Sequence, residues 1–564
     1  MERNKPWKHL FRLRFAFVSV SWPFCLACLG SRRSAVQIGS PRPFFSVVFI
    51  SGLPENKSTQ STTPLRFHFS DIRFVFLLDN YIYLVYFKVD YSKEDKGDGP
   101  MFVNRESEIQ ALLERMSSNK AEFVIVYGRR RIGKTELLRK TFAKGKVIHF
   151  VADLGADQDQ RRRLSETVNL VYPNPLLQAE IPPGLDSLLR YIITLAEKDR
   201  IVLILDEFPY LCSSDPALPS VLQRIWDEVG KDSKLYLILC GSFISFMERE
   251  VLGHKSPLYG RRTGQLLVHP LLLRTLKDFF PGYSPEERII TYAILGGVPA
   301  YLIQFSDKVS IRQNIERQIL KPTAFLHDEV RFILMEELRD PKHYLSVLQS
   351  IAFGNTRMND IVQRTGMERG PVSKYLSVLQ DLRLIEREIP VTEKHPEKSR
   401  KGIYRLSDNF FRFSFRFVLP YKSRFVEGGE RKALEEEILP HLDNFIGQTF
   451  DKICVEILRY LVDAKKLKLS YDRAGRWWSG NEEIDLVAVA GDKPVFAAEC
   501  KWSKRPVGID ILNNLRRKVT LIPSESPSKT LRLGLFSRSG FTKEIEAHGR
   551  KGELDLIDIR KIDL

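Results

Sequence analysis

From residue 101 onward, apolar and polar positions recur with periods that change along the chain, and each change predicts an element. MFVNRESEIQALLERM (101–116) reads as a short apolar strand followed by an amphipathic helix. AEFVIVYGRRRIGKTELLRKTF gives an apolar strand from Phe123 to Tyr127, a glycine-bounded loop, and a helix beginning near Glu136. Ile201 to Leu205 reads as a buried parallel strand closed by Asp206 and Glu207, and KLYLILCGS as another that ends at Ser242. Apolar strands separated by helical stretches predict an α/β core built on a doubly wound sheet. ILGGVPAYL, from Ile294 to Leu302, places paired glycines and Pro299 at a helix end or turn.

Further along, YLSVLQSIAFG, MNDIVQRTG and GPVSKYLSVLQDLRLI predict three short helices between residues 343 and 385. In the third, Val372, Tyr375, Leu376, Leu379 and Leu382 follow helical spacing and leave Ser373, Lys374 and Ser377 exposed. EREIPVTEKHPEKSRKGIYRLSD then reads as a hairpin with a basic tip, so the whole segment predicts a winged helix. Such a unit either sets its third helix in the DNA major groove or serves as a lid on an ATPase. Between 341 and 405 there are 12 basic and 7 acidic residues, a surplus too modest to decide. The aromatic run YRLSDNFFRFSFRFV reads as packing rather than as a surface for stacked bases.

The first hundred residues are patterned differently. Arg3, Lys5, Lys8, Arg12 and Arg14 precede an uncharged run from Phe15 to Ser31, interrupted by Pro23 and followed by Arg32 and Arg33. That mimics a signal peptide or short anchor, but it falls short of the ~20 residues a spanning helix needs. The aromatic stretch from Phe74 to Phe87 contains Asp79 and Asn80, and SGLPENKSTQSTTPLR reads as loop. Domain-like patterning begins at Met101, itself a candidate initiator. Residues 1–100 are therefore expected to be a dubious extension, translated from upstream of the true start; a lineage-specific extension or anchor is the alternative.

Composition narrows the picture. The chain has 564 residues, 87 Lys and Arg against 70 Asp and Glu, a net charge of +17, and is 43% hydrophobic. On a prior of about 150 residues each, that predicts three or four domains and excludes wholesale disorder or a polytopic membrane protein. The positive balance is compatible with a polyanionic partner such as double-stranded DNA. Six scattered cysteines suit a reducing, cytoplasmic setting, and Cys25 and Cys28 have CxxC spacing without a second pair.

Gly128 to Thr135 carries the chemistry. GxxxxGK[ST] between a strand and a helix is a phosphate-binding loop, here Gly128, Arg129, Arg130, Arg131, Ile132, Gly133, Lys134 and Thr135. Its glycines let successive N–H groups face phosphate oxygens, Lys134 reaches the β and γ phosphates of ATP, and the Thr135 hydroxyl ligates Mg2+. Asp206 at the strand end is expected to hold magnesium through water, and Glu207 to polarise the attacking water as general base. Ser242 stands where a sensor of the γ-phosphate belongs, and Arg261 or Arg262 in SPLYGRRTGQLLVHPL is a candidate for charge on the transition state.

In that order, strand, phosphate loop, DE strand end, Ser242 strand, PLYGRR and GGVPAYL resemble the archaeal-type ATPase family, a branch of the AAA-like and STAND-like P-loop ATPases. The resemblance extends over residues 101–564. FVNRESE is similar to the family's adenine-side motif, with Asn104 where relatives often place Gly, which implies Arg105 and Glu106 as candidates at the nucleotide base. Relatives commonly begin at this motif, which fits Met101 as the start.

The C-terminal segment WWSGNEEIDLVAVAGDKPVFAAECKWSKRPVG predicts two strands around GDK. Side chains alternate along a strand, so Glu499 and Lys501 share one face and Cys500 takes the other. With a three-residue loop of Gly491, Asp492 and Lys493, Asp485 stands opposite Glu499. This spacing resembles the PD-(D/E)xK nuclease superfamily, with Ile484 in place of the proline. The resemblance implies that Asp485 and Glu499 hold a second divalent metal, that Lys501 orients or deprotonates water, and that Asp451 or Glu456 supplies a helix acid.

The expected organisation is an extension (1–100), a P-loop ATPase (101–275), a helical lid (276–340), a winged helix (341–420) and a restriction-endonuclease-like α/β domain (421–564). Two functions remain open. One is an ATPase whose nucleotide state controls a DNA-binding or DNA-cleaving C-terminal domain. The other is a STAND-like switch with a catalytically inactive nuclease-like domain that regulates or binds partners. Either is compatible with a homo-oligomer, and no membrane partner is expected.

Overall fold

The computed structural model describes residues 102–563, apart from 176, 178–181, 339 and 524–530, together with the backbone of four strands nearer the N-terminus. The chain divides into two compact units, Met1–Gly99 and Pro100–Leu564. In the first, β1 (Ala35–Ile38), β2 (Phe45–Ile50), β3 (Ile72–Leu78) and β4 (Tyr81–Val89) form an antiparallel sheet in the order β1-β2-β4-β3. Of the stretch from Phe74 to Phe87, residues 74–78 fall in β3 and 81–87 in β4, while Asp79 and Asn80 lie outside the described residues. The run from Phe15 to Ser31, with Cys25 and Cys28, lies outside the described residues, as does Met101.

The second unit opens on a five-stranded parallel sheet. It comprises β5 (Glu122–Tyr127), β6 (Val147–Val151), β7 (Ile201–Asp206), β8 (Leu235–Gly241) and β9 (Gly264–Leu267), in the order β6-β7-β8-β5-β9. All residues of β7 and β8 are buried, as unbroken apolar runs in a parallel sheet require. Separate apolar cores cover its two faces. No strand forms at Phe102–Asn104, contrary to the pattern: Asn104 sits in the left-handed region at φ 55°, which stops extended backbone just before the helix Glu106–Met116. Asparagine tolerates that region better than other residues with a Cβ. β6 and β9, which the hydrophobic pattern did not single out, complete the sheet.

Past the sheet come the helices Pro285–Leu295 and Glu329–Glu337. Between the first of these and Pro299, the chain must turn where only glycine fits, since a Cβ on Gly297 would lie 1.7 Å from the Leu271 carbonyl oxygen. Three helices follow, Lys342–Ala352, Met358–Thr365 and Arg369–Asp381, and then the antiparallel pair β10 (Ile385–Glu388) and β11 (Ile403–Leu406). Val372, Leu376, Leu379 and Leu382 are buried, and Ser373, Lys374 and Ser377 are exposed. The connection between β10 and β11 does not stand free: Val391 N–H donates to the Arg476 carbonyl at 2.9 Å, and Arg473 Nε donates to the Val391 carbonyl at 2.9 Å.

The aromatic run after β11 is core. Phe410, Phe411, Phe413, Phe415 and Phe417 are all 2% exposed or less. At ~2–3 kcal/mol per buried phenyl side chain, withdrawing them to stack bases would forfeit much of the unit's stability.

The chain ends in a five-stranded sheet of β12 (Arg473–Ser479), β13 (Glu482–Ala490), β14 (Lys493–Lys501), β15 (Arg532–Ser537) and β16 (Asp555–Asp558), ordered as numbered. β12, β13 and β14 are antiparallel; β14, β15 and β16 are parallel. The long helix Leu439–Asp463 lies on one face and Ile509–Val519 on the other, each over its own apolar core. The first of those cores is continuous from Leu271 to Ile562, so the helical segments and one face of this sheet are stabilised together.

Candidate functional site

The phosphate loop runs from β5 to the helix Lys134–Thr141. Its curl is set by positive φ at Gly128 (154°), Arg131 (66°) and Gly133 (85°). A Cβ on Gly128 would lie 2.5 Å from the Val268 carbonyl oxygen, so the close approach of β5 and the chain after β9 also demands glycine there. Ile132 is buried beneath the loop. Arg105, 6% exposed, braces the loop by donating to the carbonyls of Ile132 at 3.3 Å and His269 at 2.7 Å, and to Glu108 at 2.9 Å. Glu106 opens the helix after it and is exposed.

Lys134 Nζ donates to the carbonyls of Gly128 at 3.0 Å and Arg129 at 2.9 Å and to Ser242 Oγ at 2.9 Å. Burial lowers its pKa. Ser242 Oγ in turn donates to Glu207 Oε1 at 2.6 Å. Glu207 has φ 52°, a strained position for a residue with a Cβ, and so turns from the end of β7 towards the end of β8. Thr135 Oγ1 donates to Asp206 Oδ2 at 2.7 Å. Burial raises the Asp206 pKa, but hydrogen bonds from His149, Cys240 and Thr135 outweigh it and hold the carboxyl down at about 2. It is therefore ionised at any working pH.

Asp206, Glu207, Ser242, Lys134 and Thr135 are thus brought together. Their fit to ATP and magnesium can be read from the donors present. Among the described residues, the hydrogen bonds of Lys134 go to two carbonyls and a hydroxyl, none to a carboxylate, which leaves its charge available to phosphate. A threonine hydroxyl beside an ionised aspartate is the hard-oxygen pair that magnesium takes.

Arg261 is not part of this group. It forms a two-pronged pair with Asp227, Nη2 to Oδ2 at 2.9 Å, because the turn carrying it lies against the helix Leu218–Glu228, and Arg262 stands over the Tyr259 ring. The loop's own arginines reach elsewhere. Arg129 pairs with Asp408 at 2.7 Å; Arg130 with Glu336 at 2.9 Å and with the Tyr210 hydroxyl at 2.8 Å; Arg131 with Glu329. His149, Tyr210, Glu329, Glu336 and Asp408 were not marked by any contiguous motif; His149 alone left a trace, as the polar residue in the apolar strand β6.

In the C-terminal sheet, Lys501 Nζ donates to Asp485 Oδ2 at 2.9 Å and Glu499 Oε2 at 2.5 Å. Lys518 Nζ donates to the other oxygen of Glu499 at 2.8 Å. The expected three-residue loop does not form. Ala490 pairs with Lys493, so the loop is Gly491 and Asp492 alone; a bulge then makes Val495 the unpaired residue, and Ala488 faces Phe496. The bulge restores the register that the shorter loop would have lost, leaving Leu486 opposite Ala498 and Asp485 on the side of Glu499. Asp451 accepts from Arg405 at 2.8 Å and pairs with Arg476 at 3.3 Å, whereas Glu456 faces away and accepts from the Tyr292 hydroxyl at 2.8 Å. Among the described residues, no three His, Cys, Asp or Glu side chains converge as a metal site. The ammonium of Lys501 stands between the two carboxylates expected to ligate a second metal.

No helix among the described residues is long and apolar enough to cross a membrane. A family model described as an ATPase domain predominantly from Archaea matches residues 102–305, and one described as archaeal and bacterial proteins of unknown function matches 414–516. A Walker-type ATPase of Pyrococcus abyssi aligns with 56% of this chain and 96% of its own, at 21% identity and a TM-score of 0.45. An uncharacterised ATP-binding protein of Pyrococcus abyssi is 27% identical over 237 residues, 38% of this chain and 72% of that protein. An uncharacterised protein of Methanocaldococcus jannaschii is 37% identical over 404 residues, 71% of this chain and 88% of the relative. Identity at that level across most of the relative makes this chain a member of the same family, the archaeal-type P-loop ATPases.

Proposed function

We propose that the chain binds ATP with magnesium at Gly128–Thr135 and hydrolyses it, and that the nucleotide state is passed to a lid (276–340), a winged helix (341–420) and a restriction-endonuclease-like domain (421–564) that contacts double-stranded DNA. The observation that carries the reading is the chain Lys134–Ser242–Glu207 beside the pair Thr135–Asp206. Magnesium, when bound, neutralises phosphate charge. Thr135 and Asp206 would hold it, Lys134 binds phosphate, Ser242 reports on the γ-phosphate, and Glu207 takes the proton of the attacking water at its carboxylate.

Three consecutive arginines support the coupling. Arg129, Arg130 and Arg131 each pair with a carboxylate beyond the ATPase core, so a loop that shifts around phosphate must adjust all three contacts. We read the C-terminal hairpin as a DNA contact without cleavage, because Lys501 and Lys518 neutralise Glu499 and two arginines neutralise Asp451. Cleavage is the second reading, favoured by the clustering of Asp485, Glu499 and Lys501.

The test incubates the protein with supercoiled and linear DNA, magnesium or manganese, and ATP or a non-hydrolysable analogue. DNA retention that changes with nucleotide, without strand breaks, supports the first reading. Strand breaks lost in Asp485→Ala establish the second, and retention indifferent to nucleotide refutes the coupling.

A further inference from the structure

A cavity of about 360 Å3 lies where the segment after β11, the helix Leu439–Asp463 and the hairpin β13–β14 meet; Asn409, Arg412, Gln448, Thr449, Asp485 and Cys500 are among the residues that line it. Its volume is within the range of small-molecule sites, roughly 300–1,000 Å3.

Nearly all the charges at its wall are matched. Arg405 faces Asp451 at 2.8 Å and Glu388 at 3.2 Å; Arg476 faces Asp451 at 3.3 Å and Glu483 at 2.6 Å; Lys452 pairs with Glu386; Asp485 accepts from Lys501 Nζ and the Cys500 N–H. Arg412 differs. Its Nη2 donates to the Phe445 carbonyl and its guanidinium stacks 3.9 Å from the centre of the Phe445 ring, but no ion pair with a carboxylate is found for it among the described residues. Its Nε is sealed from solvent without a hydrogen-bond acceptor. Burial, with the nearby Arg405 charge, outweighs the Asp451 carboxylate and lowers the Arg412 pKa to about 9, which still leaves it charged at neutral pH. Thr449, 3% exposed, has a hydroxyl that is likewise unpartnered.

A partly buried guanidinium whose Nε has no acceptor is costly, and so is a sealed hydroxyl without a partner. Both are relieved together by one ligand, an oxyanion with several acceptor oxygens, and the cavity has room beyond a bare anion for an organic group. We propose that this cavity binds a small phosphorylated molecule of mononucleotide size, its phosphate on Arg412 and Thr449. The site is separate from the phosphate loop, but Asp451 and Asp485 at its wall also belong to the hairpin region read above as a DNA contact, so the proposal deepens that reading. Asn409 at its wall follows Asp408, the partner of Arg129, so the cavity wall is one residue along the chain from a contact of the phosphate loop.

The experiment uses the full chain carrying Lys134→Ala, which silences the phosphate loop, and titrates inorganic phosphate, AMP and a 5′-phosphorylated single-stranded oligonucleotide by calorimetry and thermal shift. Saturable binding of phosphate and tighter binding of AMP are expected. Adding Arg412→Gln should weaken AMP at least tenfold. Adding Thr449→Val, a near-isosteric change that keeps the fold if Arg412→Gln does not, should weaken it about three- to tenfold. No binding in the Lys134→Ala protein, or binding indifferent to both further changes, overturns the site. Binding of the oligonucleotide with none of AMP assigns the cavity to a nucleic-acid end and overturns the small-molecule ligand.

Discussion

Arg129 in the phosphate loop and Asp408 at the start of the buried aromatic helix Asn409–Phe413, 279 positions apart, form a 2.7 Å ion pair in which Asp408 is 2% exposed and Arg129 15%. Asp408 also caps that helix by accepting the Phe411 N–H at 2.9 Å. Asp408→Asn should preserve the cap while leaving Arg129 buried and unpaired. Removing one partner of a buried pair costs about 3 kcal/mol, a loss readable in urea unfolding. Unchanged stability would show that the loop is not held by this contact.

Nucleotide chemistry separates Lys134 from Glu207. Lys134→Ala should abolish ATP binding in a fluorescent-nucleotide titration, because no other buried ammonium faces the loop carbonyls among the described residues. Glu207→Gln should bind ATP and turn it over ~10²–10⁴-fold more slowly, the range lost with a general base. Wild-type turnover in Glu207→Gln would remove that carboxylate from the mechanism.

Glu337, beside Arg130 on the helix Glu329–Glu337, gives the contact a pH dependence. Burial outweighs the neighbouring arginines and raises its pKa to about 7 from 4.5. The folded protein then binds more protons than the unfolded chain between those values, so this contribution is complete below pH 4.5 and lost as pH rises through 7. The loss is on the order of 3 kcal/mol. Stability curves at pH 5 and pH 8 should differ more in wild type than in Glu337→Gln, and equal differences would place the proton elsewhere.

The phosphate loop was legible because all its determinants lie within eight contiguous residues between a strand and a helix, and backbone geometry follows from local composition. Other features depend on distance or compensation. Arg129 and Asp408 share no local pattern. The GDK loop suggested a length that β13 and β14 do not adopt, since the bulge at Val495 absorbs one residue, which is invisible in a pattern of alternating apolar positions. Asp451 and Glu456 were indistinguishable as helix acids, although five residues separate their side chains by roughly 140° around the axis. That angle sends Asp451 to Arg405 and Glu456 to Tyr292.

Lys501 provides the sharpest test of the C-terminal hairpin. Burial and the neighbouring Asp485 raise the pKa of Glu499, whereas the two carboxylates overcome burial and raise that of Lys501. The ammonium thus occupies the place between Asp485 and Glu499 that a divalent cation would otherwise take. Lys501→Met leaves two carboxylates facing each other, with only Lys518 on the far oxygen of Glu499. Like charges in so small a space repel, and the variant should lose about 1–3 kcal/mol of stability in metal-free buffer. Manganese should restore it, shifting the melting temperature of Lys501→Met upward in a concentration-dependent way and that of wild type little. A Lys501→Met protein indifferent to manganese would show that the two carboxylates do not form a cation site even when freed. Manganese stabilisation of wild type equal to that of the variant would show that the ammonium does not compete, and would return the hairpin to the metal-dependent nuclease reading.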